Sequence, residues 1–391
     1  MEIELRTFHS DQYRHVAIFL NKAGIANGNG HGKIFLKLVF FIVIIAWPQY
    51  VMARIINVPQ DHPSIQDAIR TASSGDTVVI SPGVYELFFE NIVINKDKLT
   101  LRGTPGKTVL IGRGNRPVIS VTDGKGPVIE GLIIKMQQND LKPIMGGAIY
   151  CGVNSRPLIR HNLITMNRAV FGGGIYCDVD SEPKILENVF MDNRAEVSGG
   201  ALFSDHSRAE ISRNRFQGNS AGSSGGGIAG NRDFSRIRNN IFWRNRAAFG
   251  SAISLDRAAS VVGNNTVVEN HALSSGALVV EKGSVRLTNL ILWHNKPDGL
   301  LMRYTGPAAR PFYCNLQGRT FKGTNGNISE DPRFMDYLSG NFHLAPDSPC
   351  IDKGNPDPFY FEIDGSYSDM GAYGGPFPLN DDNLPNYSGV Q

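Results

Sequence analysis

Tyr150, Tyr176, Phe203, Ala229, Ser254 and Val279 recur at one place of a repeated segment, and two residues beyond them stand Gly152, Asp178, Asp205, Asn231, Asp256 and Glu281. Next to these come Val153, Val179, His206, Arg232, Arg257 and Lys282. Aromatic rings beside carboxylates have the composition of a sugar-binding groove. Ring faces pack against pyranose C–H surfaces, and carboxylates accept hydroxyl hydrogen bonds or hold Ca²⁺. Like charges stacked close together raise one another's pKa, which suits general acid–base work. Asp178 and Asp205 form the best carboxylate pair, with His206 and Arg232 as proton-transfer partners; these four are the candidate catalytic residues. Tyr150, Tyr176, Phe203, Asn231, Asp256 and Arg257 are the candidate substrate-binding residues. Ca²⁺ is a candidate cofactor, with no ligand set assigned. The same columns also read as a solvated surface, since Asp and Asn at strand ends are turn formers.

The elements that must position these residues are announced by asparagine. Asn162, Asn188, Asn214, Asn240, Asn265 and Asn289 are spaced 26, 26, 26, 25 and 24 residues apart. A parallel column, Asn167, Asn193, Asn219, Asn245, Asn270 and Asn295, is spaced 26, 26, 26, 25 and 25. A fixed period of this length marks a solenoid. A buried Asn must be paired, and coils stacked ~4.8 Å apart let each Asn bond to its neighbours above and below. Each repeat opens with a glycine pair or a variant of it, as in Gly172-Gly-Gly-Ile-Tyr-Cys177 and Gly199-Gly-Ala-Leu-Phe-Ser204. Ile149, Ile175, Leu202, Ile228, Ile253 and Leu278 form one inward column, so the residues after them face out. Ile164, Phe190, Phe216, Phe242, Val267 and Ile291 form a second inward column. The segments are short, β-rich and broken by Gly, Asn and Ser. Three short strands per coil give an all-β fold, a single-stranded right-handed parallel β-helix of about ten coils. A second outward column, Arg168, Arg194, Ser220, Arg246, His271 and Lys296, is basic.

Earlier coils are less regular, with strands expected at 76–81, 91–94, 99–102, 108–111, 117–121 and 128–135. In Pro63–Ala72, Ile65, Ala68 and Ile69 sit at i, i+3 and i+4, a short capping helix over the first coil. The domain reading is an N-terminal extension and signal peptide over 1–53, the β-helix over 54–320, a C-terminal coil and cap over 321–375, and a disordered tail over 376–391.

Leu38–Trp47 is strongly apolar but short for a membrane helix. Lys33 and Lys37 precede it, and Val51-Met-Ala53 closes it with small residues. This predicts export with cleavage after Ala53, a signal anchor being the alternative, and a secreted or cell-surface protein touching membrane only through that segment. Residues 1–53 hold 5 Lys/Arg and 3 Asp/Glu of the chain's 39 and 36, which leaves 34 against 33. A balance so near neutral argues against nucleic acid and other polyanion partners attracted by bulk charge. Cys151 and Cys177 occupy one column on adjacent coils, as a disulfide or a free stack, and Cys314 with Cys350 is a plausible bridge in an exported protein. Asp352, Asp364 and Asp369 read as Ca²⁺ ligands or as turn formers.

Val58-Pro-Gln-Asp-His-Pro-Ser-Ile-Gln-Asp-Ala-Ile-Arg70 with Gly75–Tyr85 resembles the N-terminal cap of pectin-lyase-like β-helix proteins. Gly199-Gly-Ala-Leu202 and the Phe-x-x-Asn runs at 190–193, 216–219 and 242–245 resemble the repeats of chlamydial polymorphic outer-membrane proteins. Tyr313-Cys-Asn, Asp331-Pro-Arg-Phe, Ser348-Pro-Cys-Ile-Asp352, Asp364-Gly and Asp369-Met-Gly-Ala-Tyr373 are similar to the close of exported bacterial β-helix proteins. The motifs of the enzymatic relatives are missing. The paired-aspartate motifs of pectin methylesterases are absent. Of the polygalacturonase motifs only Gly30-His-Gly32 occurs, upstream of the signal, and Arg156-Pro-Leu-Ile-Arg160 lacks a residue of the pectate lyase pattern. The resemblance implies either a protein acting on extracellular polysaccharide, as lyase or glycosidase, or a surface adhesin or scaffold with a protein partner. A monomer is expected in both cases.

Overall fold

The computed structural model describes residues 53–88, 90–137, 142–297, 299–305 and 309–385. The segment expected to be an export signal therefore lies outside the described residues, apart from Ala53. Three long parallel sheets run the length of the solenoid. Sheet I has eleven strands, from Ile55–Val58 through Leu158–Arg160 and Arg236–Arg238 to Pro311–Phe312. Sheet II has ten, from Gly83–Phe88 through Val189–Met191 to Asn315–Leu316. Sheet III has nine, from Ile92–Ile94 through Ile149–Cys151 to Leu300–Arg303. A shorter sheet IV joins Arg168–Phe171, Arg194–Ser198, Ser220–Ala221, Arg246–Ala247 and His271–Ala272. The chain is thus a right-handed parallel β-helix of about ten coils. The helix Ile65–Thr71 buries Ile65, Ala68 and Ile69 over the first coil, with Ser64 accepting from the Asp67 N–H as its N-cap. The strand expected over 128–135 is two strands, Val128–Glu130 and Ile133–Met136, separated by a turn at Gly131 (φ 71°).

The glycine pairs have two different duties. The first glycine turns the chain, with φ 64° at Gly172, 73° at Gly199 and 68° at Gly225. The second is a close approach: a Cβ on Gly173 would stand 2.3 Å from the Gly200 carbonyl oxygen, and one on Gly200 would stand 2.2 Å from that of Gly226. No side chain fits there. Inside the coils, Phe190, Phe216 and Phe242 stack with centroids 4.7 Å apart and nearly parallel rings.

Both asparagine columns form ladders. In the first, Asn162, Asn188, Asn214 and Asn240 each donate an amide N–H to the Oδ1 of the Asn on the next coil, at 3.0–3.1 Å. In the second, the chain of amide bonds runs unbroken from Asn167 to Asn295 at 2.9–3.0 Å. Each ladder Asn follows a residue in the left-handed region, such as Glu187 (φ 56°), Arg213 (56°) and Asn239 (54°) in the first column.

The last coil corrects two assignments. Asn289 pairs in space with Asn264, because Gly263 aligns with Thr288, and it takes the left-handed turn position (φ 54°) instead of the ladder. Leu290, fully buried, fills the ladder place. The inward column accordingly ends on Leu292, which aligns with Val267, and not on Ile291, which packs outside the coil with Cys350 and Met370. The coil keeps the 25-residue spacing of the one before it, so the ladder and core places fall on Leu290 and Leu292, one residue beyond Asn289 and Ile291, and a parallel strand must keep its face in register.

The C-terminal segment folds back along the solenoid. An antiparallel pair, Phe334–Asp336 with Asn341–Leu344, brings Phe342 against Trp243, and Leu379 and Ala372 join Ile241 and Val268 in the same cluster. The tail expected to be disordered from 376 is ordered through 385. Leu379 is buried, Leu384 packs on the outer apolar residues of sheet II, and the Asn383 carbonyl meets His161 Nδ1 at 3.1 Å. Two leucines anchor a stretch whose average composition is polar. All four cysteines are free and buried. The expected Cys314–Cys350 bridge is not formed, because Cys314 belongs to the core inside the coils and Cys350 to the cluster outside them.

Candidate functional site

Each coil passes from sheet III to sheet I through a corner whose turn residue is left-handed: Asp180 (φ 54°), His206 (50°), Arg232 (46°), Arg257 (51°) and Lys282 (53°). The residue that follows points inward. At this corner it varies: Ser181, Ser207, Asp233, Ala258 and Gly283. Asp233 is the exception in charge, a fully enclosed carboxylate that accepts from the hydroxyls of Ser204 (2.5 Å), Ser235 (2.7 Å) and Ser260 (2.7 Å). Burial pushes its carboxyl above the usual range, against the pull of these hydrogen bonds. It ties three serines together beneath the corner.

The outward residues pair within each coil. The Arg257 guanidinium bonds Asp256 at 3.0 Å, and His206 Nδ1 stands 2.7 Å from Asp205 Oδ1. Arg232 breaks the pattern, because its own coil carries Asn231 where the neighbours carry a carboxylate. Its Nη1 lies 3.3 Å from His206 Nε2 instead. The amide of Asn231 donates to Asp205 Oδ1 at 2.9 Å, and the Tyr176 hydroxyl approaches Asp205 Oδ2 at 3.4 Å. Asp205 thus fixes His206 from one side, and the half-exposed imidazole meets an exposed arginine on the other. These partners imply a neutral imidazole that donates from Nδ1 to Asp205 and accepts at Nε2 from Arg232.

Of the candidate catalytic residues, Asp205, His206 and Arg232 therefore meet at one point, with Asn231. Asp178 is one coil away and is occupied by the Tyr150 hydroxyl and the Val179 N–H. Both tyrosine hydroxyls are pushed above their ordinary pKa, by burial first and then by the neighbouring aspartates, so they act as neutral donors.

The aromatic column does face away from the core, but it is no sugar platform. Tyr150, Tyr176 and Phe203 stack on one another, with centroids 6.0 and 5.4 Å apart and interplanar angles of 20° and 11°. Phe171 covers Phe203 edge-on at 5.3 Å, and Tyr176 is only 5 % exposed. In a parallel ladder the ring faces point along the solenoid axis, toward the next ring. A pyranose cannot reach the Tyr176 ring, which is covered on both faces. The correction follows from stacking geometry: facing out of the coil is not the same as offering a face to solvent.

Among the described residues, no three His, Cys, Asp or Glu side chains converge as metal ligands. Asp364 bonds Ser366, and Asp369 accepts from the Asp352 N–H at 2.9 Å, so these acids serve turns. The basic column of sheet IV is formed in register, with Arg194, Arg246, His271 and Lys296 exposed above buried alanines.

A second feature was missed in the sequence. Arg236, Arg238 and Arg286 line a cleft on sheet I together with Phe359, Tyr360 and Phe377. The signal available was Arg236-Ile-Arg238 with Arg286 two repeats on. The aromatic residues lie far away in sequence, and only the fold-back of the C-terminal segment brings them close.

A family model for the right-handed β-helix region matches residues 92–242. No curated protein matches the chain by sequence. Among solved structures, the chain is similar to a mannuronic-acid-specific family 6 polysaccharide lyase from the human gut microbiota. That match has 14% identity over 64% of this chain and 67% of the other, with a TM-score of 0.39. It is also similar to the pectate lyase Pel9A, with 13% identity over 84% and 97% and a TM-score of 0.41. A third likeness is to the family 6 alginate lyase AlyGC, with 13% identity over 87% and 59% and a TM-score of 0.35. The chain spans less than two thirds of that last enzyme. No residue role passes from these structures to this chain.

Proposed function

We propose that the protein acts on an extracellular acidic polysaccharide at the corner formed by Asp205, His206 and Arg232. The observation that carries this reading is the open end of the hydrogen-bond chain. Asp205 holds Nδ1 of His206, and among the described residues the partner of Nε2 is an exposed guanidinium with no carboxylate of its own. A uronate carboxylate would draw the Arg232 fork away from the imidazole, since a charge-assisted bidentate bond is the stronger one. That movement uncovers the Nε2 lone pair beside the bound sugar. His206 then takes the proton on the carbon next to the carboxylate, and Arg232 stabilises the charge that develops there. The electron pair forms a carbon–carbon double bond, the glycosidic C–O bond breaks, and the imidazolium returns its proton to the leaving oxygen. Atoms and charge balance without a cofactor. Asp205 positions the ring and its tautomer; Asn231 positions Asp205.

The test is turnover of uronate polymers, followed by absorbance of the unsaturated product and by new reducing ends. His206→Asn is the variant of choice, because Asn tolerates the left-handed backbone that this position requires. Turnover should fall ~10²–10⁴-fold, while the denaturation midpoint stays near that of the wild type. Unchanged turnover in this variant, or binding of uronate polymers with no cleavage by the wild type, would refute the catalytic assignment. The second result would indicate a glycan-binding scaffold.

A further inference from the structure

We infer a separate binding site for the carboxylated rings of an acidic glycan, in the cleft between the outer face of sheet I and the C-terminal segment. The cleft encloses about 250 Å³. Arg236 and Arg286 stand in the same outward column, aligned through Val261, and so lie two coils apart. At ~4.8 Å per coil this is a spacing of ~9.6 Å along the axis. Arg238 sits two residues beyond Arg236 and aligns with Gly263, whose missing side chain leaves room beside it.

The charge is uncompensated. No Asp or Glu lines the cleft, and the three guanidiniums have no hydrogen-bonded or ion-paired partner among the described residues. Several arginines elsewhere are ion-paired. Arg102 and Arg160 share Glu130, Arg156 meets Glu182, Arg213 meets Glu187 and Arg244 meets Glu269. The nearest acid of the column is Glu210, in register with Arg236 on the preceding coil, and it bonds none of the three. Three free planar forks within one cleft match carboxylates, each able to accept two parallel bonds.

The aromatic side supplies what the Tyr176 stack cannot. Phe359 is 69% and Phe377 is 56% exposed, although both belong to a segment anchored by buried Leu379. Their rings are free of the axial stacking that closes the faces of Tyr150, Tyr176 and Phe203. Apolar ring faces beside guanidinium forks suit a sugar ring that carries a carboxylate. A nucleic acid is disfavoured by the weak overall charge, +3 for the whole sequence, because duplex and single-strand binders present a broad basic field.

Calorimetric titration of the full chain tests the site, with a hexamer of galacturonate, its methyl ester and a single-stranded DNA decamer as probes. The acidic hexamer should bind and the ester should not. Arg236→Ala with Arg286→Ala should weaken binding at least tenfold with an unchanged melting temperature, since both side chains are exposed. Phe377→Ala should weaken it by a smaller factor without altering the salt dependence. Turnover of uronate polymers reads the proposed corner separately and should stay at the wild-type level in the Arg236→Ala, Arg286→Ala variant, which separates the fate of this site from that of the corner. Equal affinity of the double variant and the wild type, tighter binding of the DNA than of the hexamer, or no binding of the hexamer at millimolar concentration would each overturn the assignment.

Discussion

The corners of this solenoid solve one problem in two ways. At three of them, a left-handed residue turns the chain and the next residue points inward. At the two corners flanking sheet II that side chain is Asn, and the network is closed. Asn214 donates to the Ile185 carbonyl (2.8 Å), the Ser212 carbonyl (3.0 Å) and Asn240 Oδ1 (3.0 Å), and its own Oδ1 accepts both N–H groups offered by Asn188. At the third corner the inward residue varies, and the outward chain of Tyr176, Asp205, His206 and Arg232 ends in solvent. A closed network has nothing left to offer a ligand. An open one does.

That contrast is most easily broken at Asn214. Asn214→Ala strands several buried donors and acceptors at once, so it should cost about 3 kcal/mol of stability, read from denaturant midpoints. Activity per folded molecule should stay at the wild-type level. A midpoint equal to the wild type would remove the distinction between the corners. Tyr176→Phe is the next test. It removes one donor from Asp205, which keeps its bonds to His206 and Asn231, so the stability change should be about 1 kcal/mol or less. A loss as large as that of Asn214→Ala would mean that the third corner is closed as well.

Asp369 sharpens the comparison from the C-terminal segment. Burial raises its carboxyl from 3.8 to about 6, opposed by the Asp352 N–H and aided by Glu362, Asp352 and Asp364. The folded chain therefore holds this proton more tightly than the unfolded chain. Its contribution to stability should fall as pH rises from about 4 to about 6 and change little on either side. Asp369→Asn should flatten that part of the pH–stability profile. An identical profile in the variant would show that Asp369 titrates as an ordinary exposed acid.

Much of the fold was legible because a parallel β-helix repeats its constraints. The period, the ladders from Asn162 to Asn265 and Asn167 to Asn295, the inward columns and the glycine pairs each report one local geometry, copied coil after coil. Reading failed where the copy is imperfect. Asn289 has the right residue type, but the unchanged 25-residue register puts it opposite Asn264 in the turn position and gives the ladder place to Leu290. For the candidate site, the sequence placed Asp205, His206 and Arg232 on neighbouring coils, and the structure joins them. It could not say that Asn231, by withholding a carboxylate, leaves Arg232 to the imidazole.

What the sequence determined by itself was periodic: the solenoid, its capping helix at Ile65–Thr71, the inward and outward faces and the corner that carries acids and bases. What the tertiary structure alone decided was everything that needs a direction or a distant partner. The rings of Tyr150, Tyr176 and Phe203 face the axis and cover each other, which periodicity cannot reveal, since alternation fixes the side of the sheet and not the plane of a ring. The free thiols of Cys314 and Cys350 lie on opposite sides of a coil, although their spacing permits a bridge. The arginine cleft exists because two leucines late in the chain, Leu379 and Leu384, find apolar seats on sheet II and bring Phe359 and Phe377 to arginines more than seventy residues earlier. Apolar burial draws such segments together without regard to their separation in the chain, and no local pattern of residues records where they will meet.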